Sequence, residues 1–358
     1  MEPFSTPHRV PVLAVTLVSA TDGGDGASIA AALAGRAVQN TDWVFARPEA
    51  DSAAFAGELF DELARRADDG ETGVVVLALD PAADPWEVGL VLERLCEQRH
   101  PADTRIGILE VVAVTSLAEV ARVLLGRPAA TTSTSAEVDF DAAERLAGRL
   151  EFTDVIVLTD ADSGAVDGEA TDLLRAMAPS AEILAPSDLE RRRCRPARLS
   201  PGHAHRLASS LGWQRVLTGN ASVRDGDPGR VRSHLFRDPL PFHPGRLNDA
   251  IVTELVPARV GRILRSRGLV RLATRPDRVG SWSIAGDIVA LDPTSMRSWD
   301  PDAPIGQELA FFGTDLDRDE LTRVLDRCLL TPEELLAGPR AWARFPDPFP
   351  RWENEHHQ

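Results

Sequence analysis

The stretch with the clearest chemical potential lies near the N-terminus. Val10–Val18 is an apolar run broken only by Thr16, followed by Ser19-Ala-Thr-Asp-Gly-Gly-Asp-Gly-Ala-Ser28 and then the alanine-rich Ile29–Val38. Strand, glycine-rich turn and helix is the layout that aims backbone N–H groups at a phosphate, and Gly23, Gly24 and Gly26 are the residues that permit close approach. A nucleotide-hydrolysing loop also needs a lysine on the β- and γ-phosphates and a hydroxyl on Mg²⁺, spaced G-x-x-x-x-G-K-S/T. All 39 basic residues of this chain are arginine, so no register supplies the motif. Asp22 and Asp25 add negative charge where a phosphate would lie. Nor does Gly23-Gly24-x-Gly26 make a dinucleotide fingerprint, because the third spaced glycine before the helix is missing.

Other candidates are sparse. Cys96, Cys194 and Cys328 stand alone, none in the close pair that binds zinc. His203 and His205, and His356 with His357, suit at most a weak surface grip on a metal. Ser19 and Ser28 have no nearby histidine, so no catalytic residue is assigned. Arg191-Arg-Arg-Cys-Arg-Pro-Ala-Arg198 is the strongest cluster of like charge: Arg191, Arg192, Arg193, Arg195 and Arg198 are candidates for rRNA phosphates or an acidic partner. A solvated linker is the plainer account. Trp342, Phe345, Phe349 and Trp352 alternate with prolines; they either pack back on the chain or, as assigned to Trp352, meet a partner.

Composition narrows the class. The 358 residues suggest two or three domains, and 43% hydrophobic content is ample for buried cores. A net charge of −16 opposes general nucleic-acid affinity. No apolar run is long enough to span a bilayer and no signal pattern opens the chain, so a cytoplasmic protein without disulfides is expected.

Alternation of buried strands and helices across residues 10–185 predicts a doubly wound α/β sheet. Strands are expected at Asp42–Arg47, Thr72–Leu79, Ile106–Thr115 and Asp154–Leu158. Helices are expected at Glu58–Ala67, Glu87–Arg99 (capped by Asp84), Leu117–Leu125 and Phe140–Leu150, with a loop at 127–138. In the C-terminal third Pro244, just after His243, starts a helix that restarts at Pro257 and carries Val260, Ile263 and Leu264. Gly268 is expected to cap it. Strands then follow at Leu269–Thr274, Trp282–Leu291 and Glu308–Gly313. Asp317 with Glu320 opens a last helix whose inward face includes Cys328. A second basic set, Arg262, Arg265, Arg267, Arg271, Arg275 and Arg278, lies here, with Arg262 and Arg265 three apart on the helix.

Seven blocks occur in order in this third: Pro241-Phe-His-Pro244, Leu264-Arg-Ser-Arg-Gly268, Leu272-Ala-Thr-Arg-Pro-Asp277, Trp282-Ser-Ile-Ala-Gly286, Trp299-Asp-Pro301, Glu308-Leu-Ala-Phe-Phe-Gly313 and Leu325-Asp-Arg-Cys-Leu-Leu-Thr331. Together they resemble the C-terminal domain of the CobW family, whose members join it to a P-loop GTPase and are associated with metal delivery. Arg344-Phe-Pro-Asp-Pro-Phe-Pro-Arg-Trp352 resembles the tail of the family's actinobacterial branch, which includes a mycobacterial factor that recruits protein Y to hibernating ribosomes.

The resemblance implies an α/β fold: a doubly wound, mostly parallel, P-loop-NTPase-like sheet followed by a smaller α+β CobW C-terminal domain. The divisions are 1–185, an Arg-rich linker 186–230, the C-terminal domain 231–331 and a Pro/aromatic tail 332–358. In register with the family, the Walker A places hold Ala20, Asp25, Gly26 and Ala27. Of the family's guanine-reading Asn-Lys-x-Asp only Asp162 is matched, so Gly23, Gly24, Gly26 and Asp162 are remnants of a nucleotide site. The family's Gly-Cys-x-Cys-Cys stretch corresponds to Glu49–Leu59, which has no cysteine, and its switch-like turn keeps only Ala83-Asp84-Pro85. The expectation is therefore a protein that has lost GTP hydrolysis and zinc chaperoning, uses no GTP, Mg²⁺ or zinc, and acts by binding. The implied partner is a ribosome-associated hibernation factor, with rRNA contact through the arginine clusters. The alternatives are an active GTP-dependent zinc metallochaperone using backbone phosphate contacts near Ala27, and an unrelated regulator using the C-terminal module as an interaction surface.

Overall fold

The computed structural model describes residues 13–21, 26–34, 40–44, 51–99, 106–126, 140–164, 167–189, 202–219, 230–286 and 288–352. The first part of the chain runs β1 (Leu13–Ala20), α1 (Gly26–Ala34), β2 (Asn40–Val44), α2 (Ser52–Asp68), β3 (Gly73–Ala78), α3 (Pro85–Arg99), β4 (Ile106–Thr115), α4 (Leu117–Val123), α5 (Phe140–Glu151), β5 (Val155–Leu158), α6 (Gly168–Met177) and β6 (Glu182–Leu184). Its six strands pair in parallel in the order β2-β3-β1-β4-β5-β6. Every residue of β1 is buried, as an apolar run between two helical layers must be. The chain leaves β1 toward β3 and β2, then crosses to β4 on its other side. The carboxyl ends of β1 and β4 thus flank the switch point where such sheets bind ligands.

The helices begin where polar side chains can satisfy their first N–H groups. Asp51 accepts from Ala53 N at 3.0 Å, so α2 starts before Glu58. Asp84 accepts from Trp86 N at 2.8 Å, the expected cap of α3. Residues 186–230, read from sequence as a linker, include three short helices: α7 (Pro186–Leu189), α8 (His203–Ser209) and α9 (Gly212–Leu217).

The second sheet is built from β7 (Val231–Asp238), then, after α10 (Pro244–Thr253) and α11 (Pro257–Val260), β8 (Arg262–Val270), β9 (Arg278–Ala285), β10 (Ile288–Arg297) and β11 (Gln307–Thr314). It is antiparallel in the order β10-β9-β8-β11-β7, with β10 and β7 at its edges. Then come α12 (Arg318–Cys328), α13 (Pro332–Ala337) and α14 (Pro339–Trp342). Its core joins Phe236, Phe242, Leu247, Trp282, Phe311, Leu325 and Cys328.

Here the sequence expectation fails in four places, one of them the strand expected at Leu269–Thr274, because β8 ends at Val270 and the residues after it turn toward β9. The helix restarted at Pro257 lasts one turn, because Gly261 adopts φ 79° and presses against the Asp315 carbonyl. Arg262, Ile263, Leu264 and Arg265 are therefore on a central strand and not on a helix. Gly268 is no cap: it sits in mid-strand, where a Cβ would run into the Glu308 carbonyl oxygen. The span Trp282–Leu291 is two strands, reversed at Gly286 with φ 60°. By contrast, His243 and Pro244 open α10, and Asp317 opens α12 by accepting from Glu320 N at 2.9 Å. Glu320 does not close the capping box but pairs with Arg259. The complete box is Thr331 with Glu334.

By contact density the chain forms two units. One comprises Met1–Ala121, Arg145–Asp167 and Met177–Leu211; the other comprises Arg122–Glu144, Gly168–Ala176 and Gly212–Gln358.

Candidate functional site

The carboxyl ends of β1, β3, β4 and β5 define the candidate nucleotide site. Gly26 is buried at the first position of α1, and a Cβ added there would lie 2.8 Å from the Cβ of Ala20, the last residue of β1. A lysine at 26, the place the family resemblance assigns to the phosphate-binding lysine, would have to displace that methyl group. Ala27, at the place of the Mg²⁺ hydroxyl, is exposed and carries no oxygen on its side chain. Ser19 is 1% exposed, and its Oγ has no hydrogen-bond partner among the described residues. Asp22, Gly23, Gly24 and Asp25 lie outside the described residues.

At the other strand ends the acids are committed to the backbone. Asp80 accepts from Ala82 N at 2.7 Å. Asp160 receives Leu117 N at 2.9 Å and Ala118 N at 3.1 Å, which caps α4. Asp162 accepts both the Ser187 hydroxyl at 2.6 Å and Ser187 N at 3.0 Å, holding the first turn of α7. The one residue matched to the guanine reader thus already has two donors on its carboxylate.

The stretch matched to the family's cysteine ligands opens α2 near Asp84. Ser52 Oγ accepts from Asp84 N at 2.9 Å. Burial, then the Asp51 and Asp84 charges, push the Glu87 carboxyl above its ordinary value, against a hydrogen bond from Ser52. Hard carboxylates without thiolates do not reproduce a soft zinc site. Among the described residues no group of three or more His, Cys, Asp or Glu side chains is placed to hold a metal. His203 and His205 are instead pins for α8: His203 Nε2 lies 2.9 Å from Asp154 Oδ2, and His205 Nδ1 lies 2.8 Å from Glu93 Oε2. Cys328 is core, 1% exposed, with its thiol pushed up to about 12, chiefly by burial. Burial likewise pushes the Cys96 thiol up to about 12. Cys194, His356 and His357 lie outside the described residues.

Of the arginine clusters, Arg191, Arg192, Arg193, Arg195 and Arg198 also lie outside the described residues. The second set is engaged inside its own unit. Arg262 donates to the Leu125 carbonyl; Arg267 pairs with Glu144 at 3.2 Å. Arg265 is 0% exposed and meets Glu144 at 2.6 Å. Arg271 donates to Pro276 O at 3.1 Å and Pro304 O at 3.4 Å. Arg275 pairs with Asp347 at 3.0 Å and donates to Phe349 O at 3.1 Å. Sequence spacing grouped them by number; pleating and pairing divide them among the Leu125 carbonyl, Glu144 (shared by Arg265 and Arg267), the Pro276 and Pro304 carbonyls, and Asp347. Glu144 and Asp347, which organise three of these arginines, were not singled out from sequence, since contacts this distant leave no local pattern.

The aromatic tail packs on its own module. Phe345 lies 4.5 Å from the His243 ring, and Trp342 Nε1 donates to Glu334 O at 2.6 Å. Trp352 is half-buried, stacked 4.3 Å from the Arg275 guanidinium, and donates from Nε1 to Leu291 O at 3.2 Å. A Cβ at Gly280 would come within 2.6 Å of its indole, so that glycine makes the slot.

Residues 231–329 match the family described as "Cobalamin synthesis protein cobW C-terminal domain", so the C-terminal unit carries that domain. A "Zinc-regulated GTPase metalloprotein activator 1" from Dictyostelium discoideum is 28% identical over 160 residues, 38% of this chain and 33% of that protein. A "Zinc chaperone" from Mycobacterium tuberculosis is 27% identical over 236 residues, 58% of this chain and 54% of that protein. The chain thus spans about half or less of the curated relatives it matches. Among solved structures, a Zn(II)-bound YjiA GTPase from E. coli aligns over 89% of this chain and 99% of its own, at 12% identity and a TM-score of 0.35. No helix among the described residues is long and apolar enough to cross a membrane.

Proposed function

We propose that this chain is a CobW-type protein that acts by binding a partner and no longer hydrolyses GTP or delivers zinc. The observation that supports this most is Gly26 against Ala20: the position matched to the phosphate-binding lysine holds no side chain, and the space it would need is filled. The absence of lysine from the whole chain and the engagement of Asp162 by Ser187 support the same reading. Zinc fits no better, since Glu49–Leu59 offers acids and no thiolate.

The test is a titration with GTP and Mg²⁺ followed by thermal unfolding. A nucleotide bound at a hundredfold excess over its Kd would add about 2.7 kcal/mol of stability. We expect no shift and no phosphate release; micromolar GTP binding would overturn the reading. The partner implied by the tail's resemblance is a hibernation factor at the ribosome. Co-sedimentation with ribosomes at two salt concentrations, with and without such a factor, tests that form of it.

A second reading, a GTP-dependent zinc metallochaperone, is favoured by the relatives named for zinc and by the Ser19 hydroxyl at the switch point, which has no partner among the described residues. In that case backbone N–H groups at the start of α1 would hold the phosphates, and GTP would bind in the same titration.

A further inference from the structure

We propose that the groove seating the C-terminal tail also accepts the tail of a second copy of this chain, giving a dimer by reciprocal exchange. The inference goes beyond the nucleotide question, because groove and tail lie in one unit and the exchange stands whether or not GTP binds.

The tail is built as a tethered ligand. From Phe345 on, half-buried and exposed residues alternate: Phe345, Asp347 and Phe349 are half-buried, while Pro346, Pro348 and Pro350 are exposed. That is the period of an extended segment, and its prolines fix φ, so little backbone freedom is lost on seating. Each inward side chain has its own receiver. Phe345 lies on the His243 ring; Asp347 accepts from Thr274 Oγ1 at 2.5 Å, Arg275 Nε at 3.0 Å and Arg275 Nη2 at 3.1 Å. Phe349 packs against the module's core, and its carbonyl accepts from Arg275 Nη2 at 3.1 Å. Trp352 closes the row in the slot at Gly280, stacked on Arg275 and bonded to Leu291 O on the edge strand β10. None of these receivers belongs to the tail, so a tail from another copy would meet the same set. The internal bond from Phe349 N to Asp347 Oδ1, 3.1 Å long, travels with the segment.

Two further features favour a second copy as the donor. Gly338, between α13 and α14, has φ 78° and nothing within 4 Å of an added Cβ, a joint about which α14 and the tail can swing. The charge that keeps copies apart lies elsewhere in the chain: residues 231–352 carry 17 arginines against 17 acids, so the net −16 belongs to the remainder. Two copies can therefore meet through this module without net repulsion. Reciprocal exchange repeats the contacts of the monomer across a two-fold axis, so its balance is set by tethering. A short flexible tether holds its end at an effective concentration on the order of 1 mM, so exchange appears on crowding or once seating within one chain is weakened.

The test reverses the central ion pair in two separate full-length chains. Arg275→Glu leaves a groove that repels Asp347, and Asp347→Arg leaves a tail that Arg275 repels. Neither variant can seat a tail in itself or in its own kind, yet a mixture restores both pairs, one in each direction, by exchange alone. Sedimentation velocity should give monomers for each variant and a heterodimer for the mixture, at concentrations at least tenfold below that of the tether. The two substitutions combined in one chain restore its own pair and should give a monomer there. Trp352→Ala added to both partners should weaken the heterodimer at least tenfold. For the native chain, two pools labelled with donor and acceptor dyes and concentrated together should show energy transfer that dilution removes. The native pools need no substitution, so they decide even where a variant unfolds. A mixture of folded variants that stays monomeric, either variant dimerising alone, a heterodimer indifferent to Trp352→Ala, or native pools without energy transfer would each overturn the proposal.

Discussion

Arg265 and Glu144 form a forked ion pair, with Nη1 to Oε2 at 2.6 Å and Nη2 to Oε1 at 3.3 Å, on an arginine with 0% side-chain exposure. Arg265 also donates to Ser283 Oγ at 2.8 Å, and that hydroxyl donates to Glu144 Oε2 at 2.6 Å. A charge buried this completely is stable only with its partner. Glu144→Gln is expected to cost about 3–5 kcal/mol, read as a lower urea midpoint. A loss below about 1 kcal/mol would show the pair to be loose.

The same carboxylate sets an acid limit. Burial pushes Glu144 up, but the Arg265 and Arg267 charges and the hydrogen bonds from Arg265 and Ser283 hold it at about 2. The Arg246 hydrogen bond likewise brings Glu334 down to about 2, against burial. A carboxyl with its folded value below the unfolded 4.5 stabilises fully above pH 4.5 and loses that contribution as pH falls toward 2. The urea midpoint should fall across that window, and less steeply in Glu144→Gln. An unchanged slope would mean that Glu144 titrates like a free carboxyl.

Ala20 and Gly26 give a coupling test. Gly26→Lys alone should destabilise by about 1–3 kcal/mol through the clash with the Ala20 methyl. Ala20→Gly with Gly26→Lys should recover most of that loss, giving a measurable interaction energy in the double-mutant cycle. Additive effects would show that the two residues do not press on each other.

His243 couples a helix cap to the tail. Its Nδ1 accepts from Arg246 N at 3.3 Å while its ring lies on Phe345, so the neutral form is the one that fits. Burial, then the Arg246 charge, lower its protonation range below 6.5, against opposing contributions from Glu334, a backbone hydrogen bond and Asp249. This contribution is present above pH 6.5 and is lost as pH falls through the lowered value. His243→Ala should cost about 1–2 kcal/mol, and His243→Asn should restore the cap's share of roughly 1 kcal/mol. Equal losses in both variants would assign the effect to Phe345 alone.

Glycines separate cleanly into removable and fixed. Gly57 lies in α2 with nothing within 4 Å of an added Cβ, so Gly57→Ala should stabilise by about 0.5–1 kcal/mol. Gly280→Ala should destabilise and change the tail tryptophan's fluorescence, because the new methyl meets Trp352. Unchanged emission would place the indole elsewhere.

The parallel sheet was legible because its strands are buried on both faces and read as apolar runs; Ile106–Thr115 is β4 to the residue. Caps such as Asp84, His243 and Asp317 were legible because they act within three residues. Arg262–Val270 was misread, because its apolar spacing fits a helix as well as a strand, and only pairing on both sides with β9 and β11 decides. At the candidate site, the absence of lysine was visible in the sequence itself. The compensating Ala20 contact and the Asp162–Ser187 bonds depend on the threading of distant segments and have no local signature.

The seating of Trp352 has a mechanical consequence. A load applied at the C-terminus meets the indole against Gly280 and Leu291, then the Asp347 clasp on Arg275, before it reaches any strand. The tail would peel off as a sequence of small ruptures, shielding the sheet from shear.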